Sequence, residues 1–446
     1  MPYRLSVFAF CLLVTALSIS AQTQVKITAD DPAPHDFYGR SVSVDGDTVV
    51  IGAIGNDDAG TNSGSAYVYS RNEGGVNGWG KVAKLTAPDA AAGDSFGVSV
   101  SVDGDTAVIG AYRDVDGGAA SGSAYVFLRD QGGSDNWGYV AKLTADDGSD
   151  DDFFGFSVSV DDDTAVIGAG ADNDGGSESG SAYVYSRNQG GAENWGQVIK
   201  LTASDAEAFD RFGHSVSVDG DTVVIGAYWD DDGGNNSGSA YLYSRHEGGD
   251  DNWGLVAKLT ADDAVVREEF GTSVSVDGDT AVIGAAFGYG GEASSGSAYV
   301  YSRNHGGADN WGQVAKLIAN DASTQDQFGT SVSVDGNTAV IGAWLDSDDG
   351  LESGSAYLYS RNRGGPDRWG QFAKLTAGDA SQHDHFGVSV AADGDTAVIG
   401  AASDGDGGEQ SGSAYVIYGL DVLFKSGFGS QDCKSAGHPH YGNFRL

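Results

Sequence analysis

One short pattern returns at a nearly fixed interval along almost the whole chain: an aromatic followed by Gly, a Ser-Val alternation, an Asp-Gly turn and then Ile-Gly-Ala. The phenylalanines that open it are Phe37, Phe96, Phe154, Phe212, Phe270, Phe328 and Phe386, spaced 59 residues once and 58 thereafter. A period of this length marks a repeat architecture, in which each unit buries its apolar surface against its neighbours. The second copy shows what one unit contains. Residues 96–102 alternate small polar and apolar side chains, the period of a strand. Asp103-Gly104-Asp105 is a turn signal, because Gly tolerates positive φ and Asp bonds its own backbone. Residues 106–111 read as a second strand, apolar enough for burial on both faces. A Gly- and Asp-rich loop over 113–122 leads to a third strand at 123–128, and a second Gly-rich turn leads to a fourth at 137–144. All connections are of hairpin length, and nothing in the unit has the length or period of a helix.

Seven four-stranded units fit an all-β, seven-bladed β-propeller of antiparallel blades. The two ends of the repeat array favour a closed ring. The last copy stops at 413–418 and lacks the Trp-Gly strand, whereas Val25-Lys26-Ile27-Thr28-Ala29 resembles the Val-Ala-Lys-Leu-Thr-Ala that the other copies carry there. The N-terminal segment is therefore expected to supply the missing strand and close the ring, which hides the edges that an open array exposes. An open solenoid is the alternative, and it needs no sharing between termini.

Phe-Gly, Ser-Val and Ile-Gly-Ala in this order resemble the FG-GAP repeat of the integrin α-subunit propeller, and most closely bacterial secreted proteins built from that repeat alone. The resemblance covers about residues 25–419. It implies a seven-bladed propeller, often with calcium in some blades, that binds other proteins at cell surfaces. The integrin-type calcium loop lies between the first two strands and runs Asp-x-Asp-x-Asp-Gly. Here that place holds only Val-Asp-Gly-Asp-Thr, as at 44–48, so those ligands do not carry over. No leg domains or membrane span accompany the repeats, so a heterodimeric receptor is not implied.

The domain reading is a signal peptide at 1–21, a propeller at 25–419 and a tail at 420–446. Arg4, an apolar run over 5–19 and small residues before Gln22 have the form of a secretory signal, with cleavage after Ser20 or Ala21. The protein is therefore expected outside the cytoplasm: secreted, periplasmic or at the cell surface. No later stretch reaches the length of a membrane span. A net charge of −40 argues against nucleic acid and anionic membranes as partners. Of the 64 acidic residues 54 are Asp, a bias that suits turns and calcium loops better than general acidification. The tail holds Cys433, His438 and His440, which could bind a metal but read as a mobile end.

The acidic loop between second and third strands is the chemical candidate. It supplies Asp114 and Asp116, Asp172 and Asp174, Asp230 and Asp232, Asp346 and Asp348, and Asp404 and Asp406. Alternate carboxylates on a turn can converge on calcium, although the spacing is not that of an EF-hand and the final Glu is missing. The first copy has a weaker version at Asn56-Asp57-Asp58, and the fifth drops the acids. Solvated turns are the plain alternative. The Trp of each fourth strand (Trp79, Trp137, Trp195, Trp253, Trp311 and Trp369) and the Lys and Arg of each copy read as structural because they are uniform. The unrepeated aromatics Tyr112, Tyr228, Trp229, Phe287, Tyr289 and Trp344 occupy the loop after Ile-Gly-Ala, where a rigid scaffold presents recognition residues. They are the expected contacts for an extracellular protein or glycan. No nucleophile elbow, zinc-protease helix or phosphate loop is present. The reading is a binding or adhesion module without catalysis. A polysaccharide hydrolase or lyase using channel carboxylates, or a purely structural surface component, are its rivals.

Overall fold

The computed structural model describes residues 23–288, 290 and 292–420. The expected signal segment, the tail beyond Leu420 and Tyr289 lie outside the described residues. Seven four-stranded antiparallel sheets stand around a central channel; six run from an innermost strand outward in chain order, and the seventh takes the N-terminal strand as its outer one. In the first blade these are Tyr38–Asp45, Thr48–Ala53, Ser65–Ser70 and Gly80–Leu85. The innermost strand alternates buried and half-buried residues, and the seven innermost strands together line the channel. The second strand is buried at all six positions, because it is covered by both neighbouring blades. That is the physical origin of its unbroken Thr-Val-Val-Ile-Gly-Ala run.

The ring closes as the termini suggest. Thr23–Ile27 is the outer strand of the seventh blade, pairing antiparallel with Ser413–Tyr418 from Thr23↔Tyr418 to Ile27↔Ala414. Its Lys26 then meets Asp379, Asp404 and Asp406 of that blade.

One register differs from the sequence reading. In the first copy, Tyr38 and not Phe37 takes the repeated aromatic position. Tyr38 pairs with Ala53 and bridges Gly412, as Phe96 bridges Gly64 in the next copy. Phe-Tyr-Gly offers two aromatics, and the one next to the glycine is placed because the chain turns at that glycine. The interval is thus 58 residues throughout. Phe37 is left to line the channel mouth.

The apolar core lies between blades rather than inside one. Val50, Ala66, Val68 and Leu85 of the first blade pack on Phe96, Val100, Ile109, Tyr125 and Trp137 of the second, and equivalent clusters fill the other boundaries. Polar side chains of the innermost strand stitch the same boundaries. Ser41 Oγ donates to the Gly97 carbonyl of the next blade at 2.9 Å, and this bond recurs around the whole ring to Ser389 and Gly39. Ser43 Oγ accepts from the Val102 amide at 3.0 Å. Asp45 accepts from the Gly104 turn amide at 3.0 Å, and the cycle closes where Asp393 accepts from Gly46 at 2.9 Å. The Ser-Val-Ser-Val-Asp signature is therefore an inter-blade hydrogen-bond ladder, each rung contributing about 1 kcal/mol net. The aspartates that ring the axis are spent on turn amides.

Both signature glycines follow from this close approach. A Cβ on Gly110 of Ile-Gly-Ala would stand 1.9 Å from the Gly155 carbonyl of the next blade, where no backbone can yield. Gly97 of Phe-Gly has φ +88 and would place a Cβ 2.4 Å from the Ser65 carbonyl. Antiparallel blades send alternate connections to opposite faces. One face carries the Phe-Gly ends, the acidic loops and the blade-to-blade crossings, and the other carries the Asp-Gly and Trp-Gly turns. Gly110→Ala is expected to cost more than about 4 kcal/mol, the class of severe backbone clash. Urea unfolding of the variant checks this, and a loss under about 1 kcal/mol would contradict the tight approach.

Candidate functional site

Within the innermost strand only one position changes freely from copy to copy: the residue after the aromatic-Gly pair. It is Arg40, Val98, Phe156, His214, Thr272, Thr330 and Val388. The fold gathers all seven around one end of the channel. With Phe37, Trp344, His385 and Ser403 they line a cavity of about 500 Å³. A side pocket of about 210 Å³ opens beside it, walled by Tyr112, Arg113, Phe153, Arg211 and Tyr228 and sharing Phe156 and His214. The mouth is thus apolar and hydroxylated, with cationic residues on one side.

Its electrostatics run against the whole chain. No carboxylate lines either cavity, although the net charge is −40. Arg40 is half-buried, and among the described residues no carboxylate contributes to its electrostatics. Burial lowers the pKa of its guanidinium, the nearby Tyr112 opposing that shift. Desolvation, reinforced by the charges of Arg211 and Arg40, pulls His214 down to about 4 and keeps it a neutral imidazole at neutral pH. The His214 ring packs between Phe156 at 5.0 Å and Tyr228 at 4.2 Å. A neutral ring beside an unpaired guanidinium leaves Arg40 free to attract an anion.

The aromatics singled out from the sequence are distributed around this face. Tyr112 packs edge-on against Phe153 and Phe156 at 5.5 and 5.6 Å. Tyr228 meets Trp229 at 5.0 Å, and the Arg211 guanidinium lies 5.4 Å from the Trp229 ring. Trp344 stands across the mouth, its Nε1 donating to Gln327 Oε1 at 2.6 Å and its ring 4.7 Å from His385. Phe287 takes the repeat position of Trp229 and is 40% exposed. Tyr289 is outside the described residues. Arg40, Phe156 and His214 were not singled out from sequence. Their signal was variation at a position flanked on both sides by nearly invariant residues.

The acidic loops are built differently from what their alternation suggests. In each, the first Asp is buried and the second exposed. Asp114 Oδ1 caps the Asp116 amide at 2.9 Å, and its Oδ2 accepts from Tyr125 at 2.5 Å. The point where the carboxylates converge holds the ammonium of Lys142, 2.8 Å from Asp89, 3.0 Å from Asp114 and in contact with Asp116. Lys200 meets Asp147, Asp172 and Asp174 in the same way. Lys258 meets Asp205, Asp230 and Asp232, and Lys374 meets Asp321, Asp346 and Asp348. Lys26 does this for Asp404 and Asp406. Desolvation pulls the Lys142 pKa down, yet hydrogen bonds to Asp116, Asp89 and Asp114 outweigh it and raise the pKa overall. Three carboxylates match the three protons of an ammonium, whereas calcium takes six to eight oxygens. As arranged, the donor set fits the lysine and does not fit calcium while the lysine is in place.

The fifth blade shows the same logic by exception. Gly288 stands where the other loops have a buried Asp or Asn. Glu268 replaces the Asp found at 94, 152, 210, 326 and 384. One methylene longer, Glu268 accepts from the Tyr299 hydroxyl while still capping the Val265 amide at 3.0 Å. Its carboxylate lies 3.2 Å from where a Gly288 Cβ would be. The uniform Trp residues are structural too: Trp137 is buried, Arg129 lies 5.1 Å from its ring, and the same guanidinium donates to Thr48 Oγ1 of the preceding blade at 2.7 Å.

Fold and mouth together define a seven-bladed β-propeller with a variable opening whose cavity lining holds no carboxylate. The chain belongs to the FG-GAP repeat family, whose model matches residues 22–69, 79–127, 137–185, 195–243, 253–301, 311–359 and 369–418. It is an FG-GAP repeat propeller resembling the integrin α-subunit N-terminal domain. Each matched segment starts at the outer strand of one blade and ends in the third strand of the next, the one-strand offset that lets the N-terminus complete the seventh blade. No curated protein matches the chain.

Two outcomes follow. Lys142→Met leaves the buried Asp114 without its cation, an arrangement that costs about 3–5 kcal/mol when a buried pair is broken. The melting temperature of this variant is expected to rise in millimolar calcium, and that of the parent chain to stay within error. A large calcium-dependent rise in the parent would show that the ion displaces the lysines. The second outcome concerns pH. Burial pushes Asp152, Asp210, Asp326 and Asp384 up to about 6, with adjacent loop carboxylates adding to the effect and the amide each one caps opposing it. A raised folded pKa means that the fold binds the proton more tightly than the unfolded chain does. Stability from these four is therefore fully present below the usual 3.8 and lost as pH rises through 6. Asp89, Asp147, Asp205, Asp321 and Asp379, lowered on balance by their lysine and tyrosine partners, lose theirs only on acidification below the usual value. Thermal melts are expected to move upward from about pH 8 to about pH 5, and less so when the four are replaced by Asn.

Proposed function

We propose that this chain is an exported, non-catalytic binding or adhesion module whose channel mouth and surrounding loops engage an extracellular protein or glycan that carries a carboxylate. The observation that supports this is the coincidence of variation and charge. In seven near-identical units the inner-strand position that differs gathers at one opening, and there the chain places a guanidinium without a carboxylate partner among the described residues. A carboxylate entering the mouth would take a charge-assisted, two-pronged bond from Arg40. The aromatic rim offers contact area at low entropic cost. The Debye length at physiological salt is about 8 Å, so a ligand inside the mouth feels its lining more than the acidic exterior. The exterior meanwhile disfavours polyanions at long range. No helix among the described residues is long and apolar enough to cross a membrane. Stiffness that bound calcium would lend the loops comes, in this reading, from the lysine ammoniums.

Arrays of extracellular polysaccharides and matrix proteins, probed with the parent chain and Arg40→Ala, test the reading. A captured ligand should bind the variant at least about tenfold more weakly, the loss of one well-placed ionic contact. Equal binding by both would reject the mouth as the site, and release of new reducing ends from a polysaccharide would favour a hydrolase or lyase instead.

A further inference from the structure

We propose that Glu352, His383 and His385 form a binding site for a divalent transition-metal ion, with zinc as the reference case. The three come from two loops on the rim of the mouth: Glu352 from the acidic-loop connection of the sixth blade, the histidines from the crossing into the seventh. Glu352 Oε2 lies 2.9 Å from His383 Nδ1 and 3.6 Å from His385 Nε2. One ligand atom from each residue lies within 4.8 Å of the other two. Ligands at zinc's usual distances of about 2.0–2.1 Å in a tetrahedron stand about 3.3 Å apart, so the two measured separations bracket the required one. Two imidazoles and one carboxylate are a donor set that zinc accepts, with a fourth position left open.

Two further observations point the same way. His385 Nε2 is buried and has no hydrogen-bond partner, a lone pair or proton left without use unless something binds it. The other ring nitrogen, Nδ1, is 2.9 Å from Ser403 Oγ, and the Trp344 ring packs on the imidazole. A polar partner on the far nitrogen is the arrangement that fixes the tautomer and aim of a metal-binding histidine. With Nδ1–H donating to Ser403, Nε2 presents its lone pair toward Glu352.

The cluster is also an exception to the repeat. Residues at the equivalents of 383 and 385 have positive φ in other crossings as well, among them Asp151 and Phe153, Phe209 and Arg211, and Gln325 and Gln327. The fold therefore supplies the geometry generally, while the ligand types converge once. The equivalent pair in the third and fourth blades is Glu178 and Arg211, a simple ion pair. Where that crossing has one fixed cation, this one has two imidazoles around the same carboxylate position.

Titration calorimetry of the full chain with zinc in chelator-stripped buffer tests the proposal, with cobalt as a spectroscopic substitute. The parent chain is expected to take up one zinc more than the double variant His383→Ala/His385→Ala and to show the visible absorption of tetrahedral cobalt that this variant lacks. Counting the difference separates this site from any binding by Cys433, His438 or His440. Glu352→Gln should weaken the site at least about tenfold, and Ser403→Ala by about 10–100-fold, the usual effect of removing the partner that orients a ligand. Equal stoichiometry and affinity in the parent and the double variant would overturn the assignment. Should the double variant melt early in chelator, Glu352→Gln decides alone: retained cobalt absorption and unchanged zinc affinity would sink the idea.

Discussion

Everything in this ring depends on how closely the two inner strands of one blade approach the aromatic-Gly segment of the next. The Gly155 carbonyl sits where a side chain on Gly110 would begin, and that proximity allows Ser99 to bond across to it at 2.9 Å. From this contact follow the glycines of both signatures, the alternating serines, the terminal aspartate of each inner strand and the full burial of each second strand. A ring of seven such contacts must close on itself, and it does so through Ser389 to Gly39 and Asp393 to Gly46. One rung is absent: the seventh copy has Ala391 where the others have serine, so the return to the first blade rests on the remaining two rungs, the packing of Tyr38 and the N-terminal strand.

Because the same bonds recur, the repeated residues are accounted for by the scaffold. Tyrosines of the third strand, lysines of the outer strand and aspartates of the loops form one network per blade, with Tyr125, Lys142, Asp89 and Asp114 as its members in the second. Asp-rich loops look like metal loops in sequence because both need carboxylates on a tight turn. The difference lies in what fills the centre, and the filler here comes from 28 residues further on. On the proposed function, recognition is left to what departs from the repeat: the ring that includes Arg40, Phe156 and His214 and the rim aromatics, with Glu352 and its two histidines as the proposed metal site.

Much of the fold was legible because its determinants are local and copied. Four strands, seven blades and the shared last blade follow from the 58-residue period and the mismatched ends. The offset at Phe37 was misread because two adjacent aromatics look alike until the glycine beside Tyr38 fixes the register. What sequence could not supply was lateral proximity. That Lys142 reaches Asp89 and Asp114, that Glu268 stands in for a loop aspartate in the fifth blade, and that residues 58 apart share one channel mouth are consequences of curvature. Spacing along the chain does not encode them directly. The aromatics of the variable loops stood out by their lack of repetition, and the same criterion applied to the residue after each aromatic-Gly pair points to the lining of the mouth.

The central claim is that recognition resides in the variable ring, on a scaffold indifferent to it. The most direct measurement compares the parent chain with a homogenised ring in which Arg40, Phe156 and His214 all become Thr, the residue already accepted at 272 and 330. Both proteins would be melted and then probed on the same ligand arrays. The account predicts closely similar melting and loss of ligand capture by the homogenised ring. Capture that survives intact in a folded, homogenised ring would contradict it and move recognition away from the channel mouth.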